Sequence, residues 1–298
     1  MHRDESDHIR EGGKPMRTVP RVACINDLSG FGRCSLTTVL PVLSVMGVQA
    51  CPAPTAVLSK HTGFPQFTFT DLTDTLDAYF DSWNDLDFDW IFAGFLGSLG
   101  QIGIVRRFFE MQKKKNPACR ILLDPVMGDA GKRYSTYTPA LCDAVRELVS
   151  EADVITPNIT EACLLTGTDY CGECLHLHEA ETLAESLMQL GCGAAVITGI
   201  VQENRIGNLT YLDGKTSYSA VHRTESLFSG TGDLFASVLC GALARGKSLP
   251  AAVEIAGAFL SEVTQGTLRQ NTPAAEGILF EPFLSHLGGM LDAEKQGE

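Results

Sequence analysis

The sequence predicts an α/β protein with three layers, in which helices cover both faces of a central, mainly parallel sheet. Its short apolar runs lack polar alternation, which is typical of strands buried on both faces. These runs lie at residues 22–25, 90–93, 121–123, 153–155 and 194–197. Helical patterns separate most of them, as expected where helices connect parallel strands.

Taken in order, helices are predicted at residues 34–46, 103–115, 139–150 and 179–190, with two more after Asp233 and Pro250. Two runs at residues 205–211 and 216–221 predict a hairpin at the sheet edge. No repeat or Pro-, Gly- or Ser-rich linker interrupts the chain, so we expect one domain from residue 17 to residue 298. Residues 1–16 carry charges of both signs without an apolar core, which predicts a disordered extension.

The composition restricts the possible partners. Of the 298 residues, 44% are hydrophobic and 20% are charged, with 23 basic against 36 acidic side chains and a net charge of −13. An acidic surface argues against general binding of nucleic acid or anionic lipid. No apolar run reaches the about 20 residues of a membrane span. Ten cysteines without a secretory signal indicate reduced thiols in a cytoplasmic protein.

The segment Ser229–Gly230–Thr231–Gly232–Asp233 leads directly into an apolar helical pattern. Ser229 or Thr231 is expected to cap that helix with its side chain. The glycines allow close approach of a ligand, and free amides at a helix start attract phosphate. A carboxylate in a first turn stabilises a helix by itself, yet beside an anion site it also repels the anion. We therefore interpret Asp233 as a base that takes a proton from a hydroxyl attacking phosphorus.

This pattern resembles the Gly-Thr-Gly-Asp signature of the ribokinase family of small-molecule kinases. Three further segments follow in the family's order, namely Ala-Gly-Phe-Leu-Gly-Ser at 93–98, Asp-Pro-Val-Met-Gly-Asp at 124–129 and Thr-Pro-Asn-Ile-Thr-Glu at 156–161. With Ser-Lys-His-Thr at 59–62, they are similar to the pyridoxal/pyridoxamine kinase branch. The resemblance covers about residues 21–266. It implies a ribokinase-like fold, a homodimer, and ATP-dependent phosphorylation of the 5′-hydroxymethyl group of a B6 vitamer, with Mg²⁺ and K⁺ as cofactors.

Polar and aromatic residues follow five predicted strands, where ligands bind in parallel sheets. They are Asn26–Asp27, Phe95, Asp124, Asn158 and Thr198. Each also has a plainer interpretation. Asp124 and Asn158 lie beside prolines and are common turn formers, and Glu161 is a favourable charge in a first turn. Their joint position at one edge favours a binding site.

The resemblance implies roles for these residues. Asp124 and Glu161 would hold or orient Mg²⁺, directly or through water. Thr156, Asn158 and Thr198 would line the phosphate site of the nucleotide. Gly230, Thr231 and Gly232 would form the anion hole, with Asp233 as the base.

Four residues are implied as substrate contacts, which are Asp27, His61, Thr62 and Phe95. Phe95 would stack on a pyridine ring and His61 would bond a ring substituent, although a loop histidine and a core aromatic are the plainer interpretations. The sequence departs from the branch here. Many relatives have Ser-His where this chain has Asp27 and Leu28. They also have Phe-Ser-Asn-His-Thr where this chain has Leu-Ser-Lys-His-Thr at residues 58–62. A carboxylate at 27 could pair with the pyridine nitrogen or with the amine of pyridoxamine, so the preferred vitamer stays open.

Three other motifs resemble known binding sites but are less consistent with their sequence context. Residues 241–248 match the P-loop pattern, but Pro250 and the helical Ala-Leu-Ala of 242–244 argue against a strand before it. Residues 30–35 lack the third glycine of a dinucleotide site and are expected to form a flexible substrate loop. Cys171, Cys174, His176 and His178 are too closely spaced for a usual zinc finger and predict an exposed loop.

Two alternative functions stay open at this stage. A hydroxymethylpyrimidine kinase shares the Asp-Pro-Val-Met and Thr-Pro-Asn motifs, but that branch typically has Cys in place of Asp233. A non-catalytic vitamer- or nucleotide-binding protein would have no use for a base beside an anion site.

Overall fold

The computed structural model describes residues 18–170, 172–224 and 228–292. The predicted extension at residues 1–16 and Cys171 lie outside the described residues. The strands are β1 (Arg21–Ser29), β2 (Gln49–Leu58), β3 (Phe69–Asp71), β4 (Trp90–Ala93), β5 (Arg120–Leu123), β6 (Gly128–Asp129), β7 (Lys132–Arg133), β8 (Val154–Ile155), β9 (Ala194–Gln202), β10 (Arg205–Leu212) and β11 (Lys215–His222). The helices are α1 (Ser35–Val45), α2 (Thr73–Asp81), α3 (Leu99–Lys115), α4 (Pro139–Leu148), α5 (Ile159–Thr166), α6 (Leu177–Met188), α7 (Thr231–Ala244), α8 (Leu249–Arg269) and α9 (Leu284–Asp292).

A central sheet carries nine of the described strands in the order β11-β10-β9-β8-β5-β4-β1-β2-β3. All neighbours from β9 to β2 pair in parallel, and β3, β10 and β11 are antiparallel. The antiparallel strands therefore lie at the two edges. β1 lies between β2 and β4, so its carboxyl end opens at the sheet edge that it shares with its parallel neighbours.

Apolar side chains fill both faces of the sheet. On one face, helices α2 to α6 and the segment before β4 contribute a cluster that includes Phe88, Phe108 and Phe109. Phe80 stacks on Phe108 there with 4.1 Å between ring centroids. On the other face α1, α7, α8 and α9 pack around residues such as Phe259. The predicted three-layer α/β architecture is confirmed.

The predicted strands and all six predicted helices are present, with shifted ends. The expected hairpin is β10 and β11, with β11 at the sheet edge. Helices α2, α5 and α9 were not predicted, because each has only eight or nine residues and so shows little more than two turns of any periodic pattern. Asn26 and Asp27 lie inside β1, where the pairing with β2 shifts between Asn26 and Leu28.

The P-loop pattern is divided between two helices. Residues 241–244 are the last turn of α7, and the Ser248 side chain caps α8 by accepting the amide of Ala251. Helical geometry at these residues excludes the phosphate loop, as the sequence predicted. Among the helices of the described ranges, none has the length and apolar character that crossing a membrane requires.

Candidate active site

A cavity of about 870 Å³ opens at the carboxyl ends of β1, β4, β5, β8 and β9. Its walls include every site residue that the sequence indicated, namely Asp27, His61, Thr62, Phe95, Asp124, Thr156, Asn158, Glu161, Thr198, Gly230, Thr231, Gly232 and Asp233. The topology therefore brings together residues that are separated by up to 206 positions in the chain (233 − 27).

The glycine turn lies at the start of α7, where Gly230 is the N-cap residue with φ 78°. A Cβ at Gly230 would lie 1.8 Å from the carbonyl oxygen of Arg33, so only glycine fits. The predicted cap by Ser229 or Thr231 is wrong, because no side chain of the described residues caps this helix. Ser229 instead bonds through its backbone to Ala274 and Ile278. The uncapped first-turn amides can therefore bind an anion.

Asp233 lies in the first turn of α7, half-buried at the cavity wall. Burial raises the pKa of its carboxyl to about 7, and the charge of Asp27 raises it further. Hydrogen bonds from the Ser35 backbone and the Asn26 side chain act in the opposite direction. A carboxyl with a pKa near neutral pH is suited to accept and release a proton.

Two further acids lie across the cavity. Burial raises the pKa of Asp124 to about 7, the charge of Asp233 adds to the rise, and a hydrogen bond of 3.1 Å from the Thr156 hydroxyl opposes it. Burial also raises the pKa of Glu161, and Asp124 contributes by repulsion. These acids are 8% and 4% exposed, so their charges repel in a poorly solvated place. Carboxylate oxygens are the ligands that Mg²⁺ prefers, so the donor chemistry of these two acids fits a divalent cation.

Glu161 also has a structural role. It forms a capping box with Asn158, whose side chain accepts the Glu161 amide while Glu161 Oε2 accepts the Asn158 amide over 2.9 Å. Glu161 Oε1 accepts the backbone N–H of Met127 over 3.1 Å. The amide nitrogen of the Asn158 side chain donates to Gly128, and its backbone pairs with Thr198. The first-turn stabilisation considered for Glu161 is thus present alongside its exposure to the cavity.

The predicted substrate residues differ in whether their side chains are already hydrogen-bonded within the protein. Both carboxylate oxygens of Asp27 accept hydroxyl groups, from Ser35 over 2.5 Å and Ser29 over 2.8 Å. Both ring nitrogens of His61 are bonded to the backbone, Nε2 to the carbonyl of Ala275 over 2.7 Å and Nδ1 to the amide of Gly63 over 3.1 Å. The plainer interpretation of His61 as a loop residue therefore describes its contacts here.

Phe95 and Thr62 also line the cavity, and no side-chain hydrogen bond engages either of them within the described residues. Phe95 packs edge-on against Tyr137 with 5.9 Å between centroids and is 9% exposed. Thr62 is exposed. Phe95 belongs to the buried apolar cluster on one face of the sheet, as the plainer interpretation expected, and it lines the cavity with only a small part of its surface.

Sequence reasoning placed Asn26 at the site without assigning it a role, and it missed Ser35. Asn26 Oδ1 accepts the amides of Asp27 and Phe95, each over 2.9 Å. Ser35 lies at the end of the segment expected to be a flexible substrate loop, and it is buried instead. A small polar residue at the end of a glycine-rich turn after a strand was the available signal for Ser35. The remainder of the cavity extends to β11 and α8, where Val221, Arg223 and Ser261 line it.

The residues considered for zinc do not form a metal site within the described chain. Cys174 is exposed, and His176 stacks on His178 with 5.7 Å between ring centroids. No group of three potential metal ligands occurs among the residues that the structure describes.

Comparison with known proteins identifies the family. The profile of the phosphomethylpyrimidine kinase family matches residues 37–276. A crystal structure with pyridoxal, of a protein from Bacteroides thetaiotaomicron assigned as a phosphomethylpyrimidine kinase, superposes with a TM-score of 0.86 at 36% identity, covering 91% of this chain and 96% of that one. Pyridoxal kinase from Lactobacillus plantarum superposes with a TM-score of 0.84 at 30% identity, over 93% and 99% of the two chains.

A relative with the alternative activity is similar at a comparable level. The hydroxymethylpyrimidine/phosphomethylpyrimidine kinase of Bacillus subtilis is 29% identical over 232 residues, which are 76% of this chain and 81% of the relative. The region matched by the family profile contains the motifs at residues 59–62, 93–98, 124–129, 156–161 and 229–233. It does not include β1, which carries Asn26 and Asp27. The chain therefore belongs to the phosphomethylpyrimidine kinase family, as an enzyme of the pyridoxal kinase branch of the ribokinase-like proteins.

Proposed function

We propose that the protein transfers the γ-phosphoryl group of ATP to the 5′-hydroxymethyl group of a B6 vitamer and releases the 5′-phosphate and ADP. The observation that carries the proposal is the start of α7, where an acid with a pKa of about 7 lies beside uncapped helix amides. Phosphoryl transfer to an alcohol needs a base for the hydroxyl and donors for the phosphoryl oxygens.

Asp233 accepts the proton of the substrate hydroxyl as its oxygen attacks phosphorus. With a pKa of about 7, a large fraction of Asp233 is ionised at neutral pH and able to do so. The amides of the Gly230–Gly232 turn bind the transferring group and stabilise the charge on its oxygens. Because the base and the amides belong to one helix turn, their separation is fixed by the helix itself.

The other half of the cavity is proposed to hold ATP. Asp124 and Glu161 would hold Mg²⁺ there. When bound, Mg²⁺ would neutralise part of the negative charge of the phosphates. Both Glu161 oxygens already accept backbone amides, so Glu161 is suited to contact through water. Thr156 orients Asp124 through its hydroxyl. The adenine would lie towards β11 and α8, where the cavity continues.

The B6 vitamers are favoured as substrates by Phe95, which lines the cavity, and by Asp233. The pyridoxal in the Bacteroides structure and the Lactobacillus enzyme support the same choice. Hydroxymethylpyrimidine is the second candidate, because the Bacillus relative with that name is 29% identical over 76% of the chain. Both substrates present a hydroxymethyl group on a flat ring, so the chemistry is shared.

The test is ATP turnover by the full chain with pyridoxal, pyridoxamine, pyridoxine and hydroxymethylpyrimidine offered separately. Product identity is read by ³¹P NMR of the phosphate ester. The proposal is supported if a B6 vitamer is turned over with the highest kcat/KM of the four compounds. A clear preference for hydroxymethylpyrimidine would show that hydroxymethylpyrimidine, and not a B6 vitamer, is the substrate. Binding of vitamer and ATP without any turnover would indicate a non-catalytic binding protein.

Two properties depend on the resemblance alone and stay predictions. K⁺ is expected to raise kcat relative to Na⁺ in the same assay. Light scattering is expected to give the mass of a homodimer, twice the 32.1 kDa of the chain.

A further inference from the structure

Ser35 connects two carboxylates of the cavity. Its hydroxyl donates to Oδ1 of Asp27 over 2.5 Å. The turn that leads into Ser35 packs against the start of α7, where a Cβ at Gly230 would lie 1.8 Å from the carbonyl oxygen of Arg33 and 3.6 Å from Cα of Cys34. A hydrogen bond from the Ser35 backbone also lowers the pKa of Asp233. The residue is 7% exposed. One buried residue thus contacts the proposed base through its backbone and a second acid through its side chain.

The backbone of Ser35 has a conformation that requires support. Its φ of 49° lies in the left-handed region, which residues other than glycine seldom adopt. The preceding residue Cys34 is extended at φ −153°, so the chain turns sharply into α1 at Ser35. Such a conformation persists only where surrounding contacts hold it, and functional sites are where it is commonly found.

The contacts that hold Ser35 are themselves anchored. Asp27 Oδ2 accepts the Ser29 hydroxyl over 2.8 Å, and the Asp27 amide donates to Asn26 Oδ1 over 2.9 Å. Ser29 and Asn26 are 0% and 3% exposed. Because this network is buried and its carboxylate oxygens are already bonded to protein hydroxyls, Asp27 is better placed to hold Ser35 than to bind a substrate.

We propose that Ser35 is a positioning residue and that Asp27 acts through it. Asp27 holds the Ser35 hydroxyl, the hydroxyl keeps the backbone in its left-handed conformation, and the N–H of Ser35 then fixes the orientation of Asp233. This inference rests on the proposed role of Asp233 as the base. It assigns to Asp27 a role different from the substrate contact that the sequence suggested.

Two substitutions at one position test the proposal. Ser35→Ala and Ser35→Gly both remove the hydroxyl, but only glycine adopts the left-handed conformation without strain. We expect Ser35→Ala to lower kcat on the order of tenfold with KM for the vitamer within about twofold, and Ser35→Gly to retain several-fold more of kcat. Equal losses in both variants would contradict the proposal, because the backbone conformation would then be irrelevant.

Asp213→Ala is the matched control. Asp213 also has a left-handed backbone, at φ 51°, but it lies exposed in the turn between β10 and β11, away from the cavity. Its replacement should leave kcat unchanged. Asp27→Asn keeps a side chain that can accept the Ser35 hydroxyl. It should leave KM for pyridoxamine unchanged, whereas a large rise in that KM would restore Asp27 as a substrate contact and overturn its assigned role.

A double-mutant cycle separates failure of this inference from failure of the proposed function. In Asp233→Asn, the further change Ser35→Ala should cause no additional loss of kcat, and a fully multiplicative loss overturns the inference. If the wild type turns over no substrate, the proposed function fails, but the same cycle can be measured by urea unfolding. Non-additive shifts of the unfolding midpoint then support the Ser35–Asp233 coupling, and additive shifts refute it.

Discussion

Asp233→Asn should make the folded protein more stable, by an amount that grows with pH. Burial and the charge of Asp27 raise the pKa of Asp233 from 3.8 to about 7. The folded protein therefore keeps a proton that the unfolded chain releases, and the free energy of unfolding falls as pH rises between these two values. Below pH 3.8 this penalty is absent, and above about pH 7 it is complete. Asn has no proton to lose and so removes the penalty.

The magnitude follows from the shift. A change from 3.8 to about 7 corresponds to about 4 kcal/mol at most, at 1.36 kcal/mol for each pH unit. Asp233 is half-buried and faces a cavity wide enough for water, so screening reduces this value by about half. Loss of a charge at the start of α7 subtracts about 0.3–1 kcal/mol. We expect the variant to exceed the wild type by about 1–2 kcal/mol at pH 8 and to match it near pH 4.

The assay is urea unfolding of both proteins at several pH values, with EDTA present and nucleotide absent. Asp74→Asn is the matched control, because Asp74 is also an acid in a first helical turn but is exposed. That variant should be slightly less stable than the wild type at every pH above its ionisation. If Asp233→Asn behaves like Asp74→Asn and is destabilised equally at pH 5 and pH 8, the buried-base reasoning is refuted.

Four other substitutions have expected outcomes. Gly230→Ala should lower the free energy of unfolding by about 2 kcal/mol or more, because its Cβ would overlap a carbonyl oxygen at a positive φ, whereas Gly232→Ala has open space and should unfold near the wild-type urea midpoint. Thr156→Val should raise the pKa of Asp124 by removing a hydrogen bond to its carboxylate, so the Mg²⁺ concentration for half-maximal activity should rise several-fold at pH 7 and recover at pH 8.5. Asp153→Ala should lower the free energy of unfolding by about 1–2 kcal/mol without changing kcat, because Asp153 pairs with Arg120 and a backbone amide away from the cavity.

The fold was largely predictable because a parallel sheet buried on both faces leaves a clear mark in sequence. Continuous apolar runs located β1, β4, β5, β8 and β9, and their carboxyl ends gave the position of the site. Strand β3 was missed because its three residues are all exposed, and helix α2 because its nine residues give only two buried positions, Leu76 and Phe80, from which to detect a period.

Within the site, the sequence indicated which residues meet but not which contacts they make. The cap expected from Ser229 or Thr231 is absent because Gly230 packs against a backbone carbonyl and the helix begins there. The hydroxyls that engage Asp27 come from residues two and eight positions away, through a turn whose conformation no local propensity predicts. Side-chain geometry of this kind depends on tertiary packing.

The measurement that bears most directly on the central claim is kcat of Asp233→Asn compared with the wild type, on the vitamer with the highest kcat/KM. Vitamer binding is measured in parallel by calorimetry. If Asp233 is the base, kcat should fall on the order of 10²-fold or more while the vitamer dissociation constant stays within a few-fold. A variant that keeps kcat within a few-fold of the wild type would show that another group accepts the proton, and the account of the α7 turn would be wrong.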